Sequence, residues 1–206
     1  MSKLNSELKN EALTALRGNW AMAAILTLVY ALLLVGVSQI PAIGRLLMLL
    51  ITFPLAYGIT VLFYDLFRKK RELKIDSLFE GFSDYARIWG TGFLVYLYTF
   101  LWLLLLIVPG IIKSYSYSLV YYILIDEPDL KYNAAIEKSM KMMDGHKMRL
   151  FLLHLSFIGW GILSLFTFGL GYFLLAPYMQ TTMAAFYEDL KRERKDSEEV
   201  TASIEE

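Results

Sequence analysis

Histidine is the side chain through which this sequence could most readily bind a metal or relay protons. His154 lies within a long apolar stretch, and His146 lies shortly before it. A zinc site or a proton relay needs further Cys, His or carboxylate groups at suitable spacing, and the chain contains no cysteine. His154 is therefore interpreted first as a packed side chain, with a ligand-binding role as the alternative.

Carboxylates are the other groups that could do chemistry, and none lies near the centre of an apolar stretch. Asp65 and Glu188 lie near the ends of two stretches, and the acidic segment 126–129 follows another. Ionisable groups that work inside a bilayer are placed within the membrane spans. The acidic segment also lacks the ligand spacing of a calcium loop. We therefore predict no catalytic residue, no metal and no cofactor, and we expect that the protein is not an enzyme.

Two prolines are the strongest indication of a binding site. Pro54 and Pro177 each remove a backbone hydrogen bond inside an apolar stretch. Prolines at matching positions of a repeat can mark a binding cavity at the membrane midplane. Trp160 and His154 complete this candidate cavity. The alternative is that both prolines are ordinary helix kinks and that Trp160 only packs between close helices.

Composition indicates the medium in which these side chains lie. The chain has 206 residues, of which 57% are hydrophobic, more than the roughly 45–50% of soluble domains. A helix needs about 20 apolar residues to cross the hydrocarbon. Runs of this kind, the last two separated by a Gly-rich turn, are 20–39, 46–67, 88–108, 150–167 and 171–187. A further run, 111–125, is shorter and contains Lys113.

Positive charges favour a crossing by 111–125 as well. Lys and Arg in short loops stay in the cytoplasm. If the run crosses, every basic residue except Arg45 and Lys113 lies on one side of the membrane. If it does not cross, the basic residues of 131–149 move to the other side. We therefore predict six transmembrane helices with both termini in the cytoplasm.

An internal repeat groups these six predicted spans. Placing Pro54 on Pro177 aligns Phe-Tyr-Asp at 63–65 with Phe-Tyr-Glu at 186–188 without a gap. The basic clusters that begin at Arg68 and Lys191 then also coincide. We predict an all-α integral membrane protein of three repeated helical hairpins, each preceded by a cytoplasmic amphipathic interfacial helix.

The amphipathic segments before the hairpins indicate contact with the membrane surface. Between Ile75 and Tyr85, apolar residues recur at helical spacing, and the segments 4–16 and 132–143 do the same. Such helices can lie at the headgroups with basic residues toward anionic lipid, or they can cap the cytoplasmic end of the bundle. The basic residues predicted at this surface are Arg68, Lys69, Lys70, Arg71, Lys191 and Arg192.

The segment 191–206 is charged and has little apolar surface. Composition of this kind predicts a disordered cytoplasmic tail. The remaining residues, 1–190, are predicted to form a single membrane domain.

Several motifs are informative in combination. They are Ala-Leu-Arg-Gly-Asn-Trp at 15–20, Val-Pro-Gly-Ile-Ile at 108–112 followed by a Tyr-rich helix and Asp-Glu-Pro at 126–128, and the segment 134–145. In these motifs the chain resembles an uncharacterised bacterial family catalogued as domain of unknown function 975, over nearly its whole length. The resemblance implies a multi-pass protein of the bacterial inner membrane with no assigned activity, catalytic residue or cofactor.

Two functions agree with these features. The first is a non-enzymatic module that binds membrane partner proteins or lipid, including anionic lipid. The alternative is a transporter or exporter component with a cavity between the repeats, near Pro54 and Pro177. The formal net charge is zero, so no excess of basic residues indicates nucleic-acid binding.

Overall fold

Helices account for most of the computed structural model, which describes residues 3–70 and 72–205, with side chains described up to residue 196. The helices are α1 (Asn5–Leu16), α2 (Trp20–Ser38), α3 (Gly44–Phe67), a 3₁₀ helix (Ile75–Phe82), α4 (Tyr85–Leu105), α5 (Ile107–Ser116), α6 (Val120–Asp126), α7 (Asn133–Met142), α8 (Lys147–Leu155), α9 (Ile158–Phe166) and α10 (Tyr172–Glu205). No β-strand occurs among the described residues. The predicted all-α class is confirmed.

Among the described residues, four stretches are long and apolar enough to cross a membrane. They are α2, α3, α4, and α8 together with α9. They correspond to the predicted spans 20–39, 46–67, 88–108 and 150–167. In α2 only 17% of the most apolar window is buried within the protein, so most of its apolar side chains face outward. Exposed apolar surface of this extent suggests a membrane protein, whose helices are surrounded by lipid.

The predicted span 111–125 is not one continuous helix. It is divided between α5 and α6 by a turn at residues 117–119, and neither helix is long enough to cross a membrane alone. The chain bends before α5 at Leu106, which is extended with φ −156° and ψ 132°, and not at the Pro109-Gly110 pair. Pro109 fits within the first turn of α5 because the N–H groups there have no partner within the helix.

The amphipathic segment before α4 forms the 3₁₀ helix, which packs directly along α3. A Cβ atom at Gly58 would lie 2.0 Å from the Leu78 carbonyl oxygen, and one at Gly81 would lie 2.1 Å from the Pro54 carbonyl oxygen. Only glycine allows the two backbones to approach this closely. Within this 3₁₀ helix, Leu78 is fully buried, whereas Phe79 on the other face is 46% exposed.

The last helix, α10, does not end where the charged tail is predicted to begin. It continues past Leu190 to Glu205, through a run of Lys, Arg and Glu residues that favour helix. At the start of this run, Lys191 donates a hydrogen bond to Asp126 at the end of α6. The division into a membrane domain 1–190 and a tail stays a prediction.

The core is concentrated at one end of the bundle. There, α3 and α6 end beside the middle of α10, and the largest fully buried side chains include Phe63, Tyr64, Phe186 and Tyr187. We call this the charged end, because Arg68, Asp126 and Lys191 lie there. At the opposite end, the turns between paired helices are apolar and exposed, and Phe168 is 100% exposed.

Candidate functional site

Three tyrosines from three different helices meet at the charged end. Tyr64 is contributed by α3, Tyr122 by α6 and Tyr187 by α10. Their ring centroids are 5.4 Å apart for Tyr64 and Tyr122, 5.6 Å for Tyr64 and Tyr187, and 5.3 Å for Tyr122 and Tyr187. All three are buried. Each aromatic pair at such distances contributes about 0.5–1.5 kcal/mol beyond simple burial, so the three rings hold α3, α6 and α10 together.

A charged residue follows each tyrosine by one helical turn, namely Arg68, Asp126 and Lys191. Residues one turn apart lie on the same helix face, so the three charges also meet. Arg68 donates to Asp126 Oδ1 at 2.6 Å, and Lys191 donates to Asp126 Oδ2. We refer to these six residues, together with Glu188, as the tyrosine cluster.

The hydroxyl groups complete the hydrogen bonding of the tyrosine cluster. Tyr64 has one hydroxyl proton, and the nearest acceptor is Glu188 Oε1 at 2.6 Å, whereas Asp126 Oδ2 is 3.0 Å away. The Tyr187 hydroxyl donates to Asp126 Oδ2 at 3.2 Å. The Tyr122 hydroxyl donates to the Gln180 carbonyl oxygen at 3.4 Å.

The electrostatics favour a charged Asp126. Burial raises the pKa of its carboxyl group, but the hydrogen bond and charge of Lys191 and the charge of Arg68 together lower the pKa below its ordinary value. Asp126 is therefore ionised at neutral pH. The tyrosine cluster is a partly buried ionic connection between three helices.

The basic residues predicted at the membrane surface are divided by this arrangement. Arg68 and Lys191 turn into the tyrosine cluster, where each side chain is 26% exposed. Lys69, Lys70 and Arg192 are exposed. Arg71 lies outside the described residues.

A half-open recess between the helices, which we call the internal cavity, lies next to the tyrosine cluster. Its volume is about 550 Å³, and its lining residues belong to α2, α3, α10, and the turn 117–119 with the start of α6. Tyr122 and Phe63 form part of its wall. Its other walls are largely apolar, and its polar side chains include Thr27, Tyr30, Ser118, Tyr121, Tyr172 and Gln180. The lining residues include no Asp, Glu, Lys, Arg or His.

Four polar groups of this internal cavity are available to a ligand. Within the described part of the chain, the hydroxyls of Tyr30, Tyr121 and Tyr172 and the side-chain amide of Gln180 make no hydrogen bond to protein. None of these atoms is among the fully enclosed unpaired atoms, so they are accessible from the cavity. Unpaired hydrogen-bonding groups in apolar surroundings are costly, which favours a bound molecule that can pair with them.

The two prolines of the predicted candidate cavity lie beside the internal cavity and do not line it. Pro54 and Pro177 are both buried. Ala56, two residues after Pro54, and Ala176, directly before Pro177, are lining residues. Pro54 leaves the Leu50 carbonyl oxygen without its helical partner, and the Tyr85 hydroxyl donates to this oxygen at 3.1 Å.

The other two predicted cavity residues lie elsewhere. Trp160 lines a second recess on the outside of the bundle. His154 is partly buried, with its ring 5.7 Å from the ring of Tyr115, and lines neither recess. The structure therefore does not bring Pro54, Pro177, Trp160 and His154 together at one site.

Sequence reasoning did not identify the tyrosine cluster, although one signal was present. The alignment of Pro54 with Pro177 already places Tyr64 on Tyr187 and Arg68 on Lys191. Extending the same spacing to α6 would have added Tyr122 and Asp126 as a third pair. Nothing in the spacing indicated Tyr30 or Gln180, because those residues meet only through tertiary packing.

Comparison with known proteins gives one family match. The model of a family described as "Protein of unknown function (DUF975)" matches residues 91–194. This range contains Tyr122, Asp126, Tyr187, Glu188 and Lys191, but not the tyrosine cluster residues of α3. No curated protein and no solved structure matches the chain.

Proposed function

The chain belongs to the DUF975 family of proteins of unknown function, and from this premise we propose that it is an integral membrane protein that binds a neutral amphipathic molecule in the internal cavity. The observation that carries the proposal is the set of unpaired polar groups of Tyr30, Tyr121, Tyr172 and Gln180 on a largely apolar wall. A volume of about 550 Å³ lies within the range of roughly 300–1,000 Å³ that is typical of ligand pockets.

The chemistry of the wall supports a neutral ligand and a binding role. A charged ligand would lose its hydration without gaining a counter-ion, at a cost of several kcal/mol. Hydroxyl and amide groups can instead orient a molecule that has a hydroxyl or an ester beside hydrocarbon, such as a diacylglycerol. With only such groups on the wall, we propose that the protein binds and does not catalyse a reaction.

We propose to test this cavity with a diacylglycerol that carries a photoreactive diazirine on one acyl chain. In nanodiscs, light should crosslink it to residues of the internal cavity. Ala31→Phe together with Ala176→Phe fills the cavity and should lower the crosslinked fraction several-fold, whereas Met22→Phe, on the exposed face of α2, should not. Tyr121→Phe removes one hydrogen bond of about 0.5–1.5 kcal/mol and should lower crosslinking less. Equal crosslinking in the cavity-filling and Met22→Phe variants would refute the proposed site.

We further propose that α5 with α6, and the first part of α10, add two spans to the four apolar stretches. The protein would then have three hairpins, in a bacterial cytoplasmic membrane, with both termini in the cytoplasm. The tyrosine cluster supports this arrangement, because α3, α6 and α10 contribute equivalent tyrosine and charge pairs, as the second helices of three related hairpins would. The exposed Lys69, Lys70 and Arg192 would face anionic headgroups.

Cysteine labelling can test this topology directly, because the natural chain contains no cysteine. In intact bacteria, a maleimide that cannot cross the cytoplasmic membrane should label Gln39→Cys, Leu106→Cys and Phe168→Cys at the hairpin turns. It should label Asp129→Cys only after the membrane is permeabilised. Labelling of Asp129→Cys from outside would contradict the three-hairpin topology.

A transporter or exporter component is the second candidate function. It is favoured by the position of the internal cavity between α3 and α10, directly beside Pro54 and Pro177, where kinked helices can change their angle. Movement of the same diacylglycerol between the leaflets of proteoliposomes would distinguish the two functions. If diacylglycerol moved between the leaflets at equal rates with and without the protein, transport would be excluded and binding would be the function supported.

A further inference from the structure

A second recess lies on the outside of the bundle, where α9 and α10 face the start of α2. Its volume is about 640 Å³. Its walls include Leu13, Trp20, Trp160, Leu163, Leu174 and Tyr178, and we call it the outer groove. None of the residues that line it also lines the internal cavity, so the two sites are separate.

The outer groove is apolar along its length and aromatic at one end. The hydroxyls of Ser164 and Thr167 are already occupied, because Ser164 donates to the Trp160 carbonyl oxygen at 2.9 Å and Thr167 donates to the Ser164 carbonyl oxygen at 2.8 Å. At the aromatic end, the edge of Trp20 meets Tyr178 with ring centroids 6.5 Å apart. Trp and Tyr are the side chains that prefer the boundary between hydrocarbon and headgroups. The groove therefore has the polarity of a site for a lipid chain whose headgroup lies near Trp20.

A cation without a protein partner lies at this same end. Arg17 follows Leu13 by one helical turn and shortly precedes Trp20, and both of these residues line the outer groove. Arg17 is exposed, and within the described part of the chain its side chain makes no ion pair and no hydrogen bond. A guanidinium beside an apolar groove is complementary to a phosphate attached to hydrocarbon.

The arginines at the starts of the other two hairpins are different. Arg87 in α4 donates to Asp84 and, at 3.2 Å, to the Leu124 carbonyl oxygen. Arg149 in α8 donates to Asp189 Oδ2 at 2.5 Å and to the Lys3 carbonyl oxygen at 2.6 Å. Both guanidinium groups are engaged inside the protein, and Arg17 alone among these three is left for an external anion.

We infer that the outer groove binds an anionic glycerophospholipid, with an acyl chain between Trp160 and Leu174 and the phosphate on Arg17. The amphipathic helix α1 would lie at the headgroups, where its Leu13 closes the groove beneath the phosphate. This site goes beyond the internal cavity of the proposed function, because it selects lipid by the charge of the headgroup.

Native mass spectrometry of the full chain can test this inference with defined lipids. Dioleoylphosphatidylglycerol should bind more tightly than dioleoylphosphatidylcholine. Arg17→Ala should weaken phosphatidylglycerol binding about tenfold, the effect of one charge-assisted hydrogen bond, and should abolish the preference. Arg45→Ala is the matched control, because Arg45 is also exposed but lies beyond the other end of α2. Trp160→Ala should weaken both lipids equally.

Other outcomes would overturn the inference. An undiminished preference in Arg17→Ala would exclude Arg17 as the phosphate ligand. Glycerol 3-phosphate that displaced the lipid at equal concentration would indicate a site for phosphate alone, without a role for the groove. The Ala31→Phe and Ala176→Phe changes should leave the preference intact, so failure of the internal cavity and failure of the outer groove can be distinguished. Circular dichroism melting should verify that each variant is folded.

Discussion

Replacing Asp126 by alanine is expected to lower the free energy of unfolding by about 3 kcal/mol, because it removes the shared acceptor of Arg68 and Lys191. Removing one partner of a buried ion pair generally costs about 3–5 kcal/mol. The lower end of this range applies here because Arg68 and Lys191 are each 26% exposed. In addition, Glu188 Oε1 remains 3.4 Å from Arg68 Nε and 3.8 Å from Lys191 Nζ. Denaturant unfolding in mixed micelles, followed by circular dichroism, would measure the loss.

The matched control for this change is Asp129→Ala. Asp129 lies in the same acidic segment but is exposed, so its removal should change stability by less than about 0.5 kcal/mol. Asp126→Asn keeps an acceptor for the Tyr187 hydroxyl but loses the charge. Its loss of stability should therefore lie between those of Asp126→Ala and Asp129→Ala. If Asp126→Ala and Asp129→Ala were equally stable, the tyrosine cluster would not hold the three helices together.

The same carboxyl group determines how this contribution depends on pH. Because the folded protein lowers the pKa of Asp126, the stabilisation is complete above the ordinary aspartate pKa of about 4 and is lost as the pH falls through the lowered value. The difference in stability between the natural chain and Asp126→Asn should therefore narrow below about pH 4.

The long apolar helices could be predicted from sequence because hydropathy and length determine them almost alone. The predicted span 20–39 and the helix Trp20–Ser38 differ by one residue at one end. The run 111–125 is different, because its turn at 117–119 is made by residues that are not strong turn formers. Pro109-Gly110 is a strong local turn signal, but a helix tolerates proline within its first turn. Local signals cannot decide between these two positions.

The positions of the charges show a second limit of sequence reasoning. The distribution of Lys and Arg predicts on which side of a membrane a loop lies, but it does not predict whether a side chain faces lipid or protein. Arg68 and Lys191 are part of basic clusters in the sequence, yet both bind Asp126. Tyr122 and Asp126 were missed for a related reason, because α6 has no proline to anchor the alignment that relates α3 to α10.

Gly58→Ala and Gly81→Ala are expected to produce the other large loss of stability, because each added methyl group would collide with backbone. The new Cβ would lie 2.0 Å from the Leu78 carbonyl oxygen in the first variant and 2.1 Å from the Pro54 carbonyl oxygen in the second. Overpacking costs about 1–3 kcal/mol where side chains can yield, and backbone yields less readily. We expect at least about 3 kcal/mol for each variant, measured by denaturant unfolding.

Gly36→Ala is the control for these two variants, because it adds the same methyl group within α2 where no atom lies within 4 Å. It should be neutral or stabilising by up to about 1 kcal/mol, since alanine favours helix more than glycine does. Gly58 and Gly81 lie on opposite sides of one contact, so once either methyl group has displaced the 3₁₀ helix, the second should add little. A double variant whose loss is less than the sum of the single losses would show that the two glycines serve the same contact. If Gly58→Ala were as stable as Gly36→Ala, the 3₁₀ helix would not pack against α3. The close contact between Gly81 and the Pro54 carbonyl oxygen would then also be wrong.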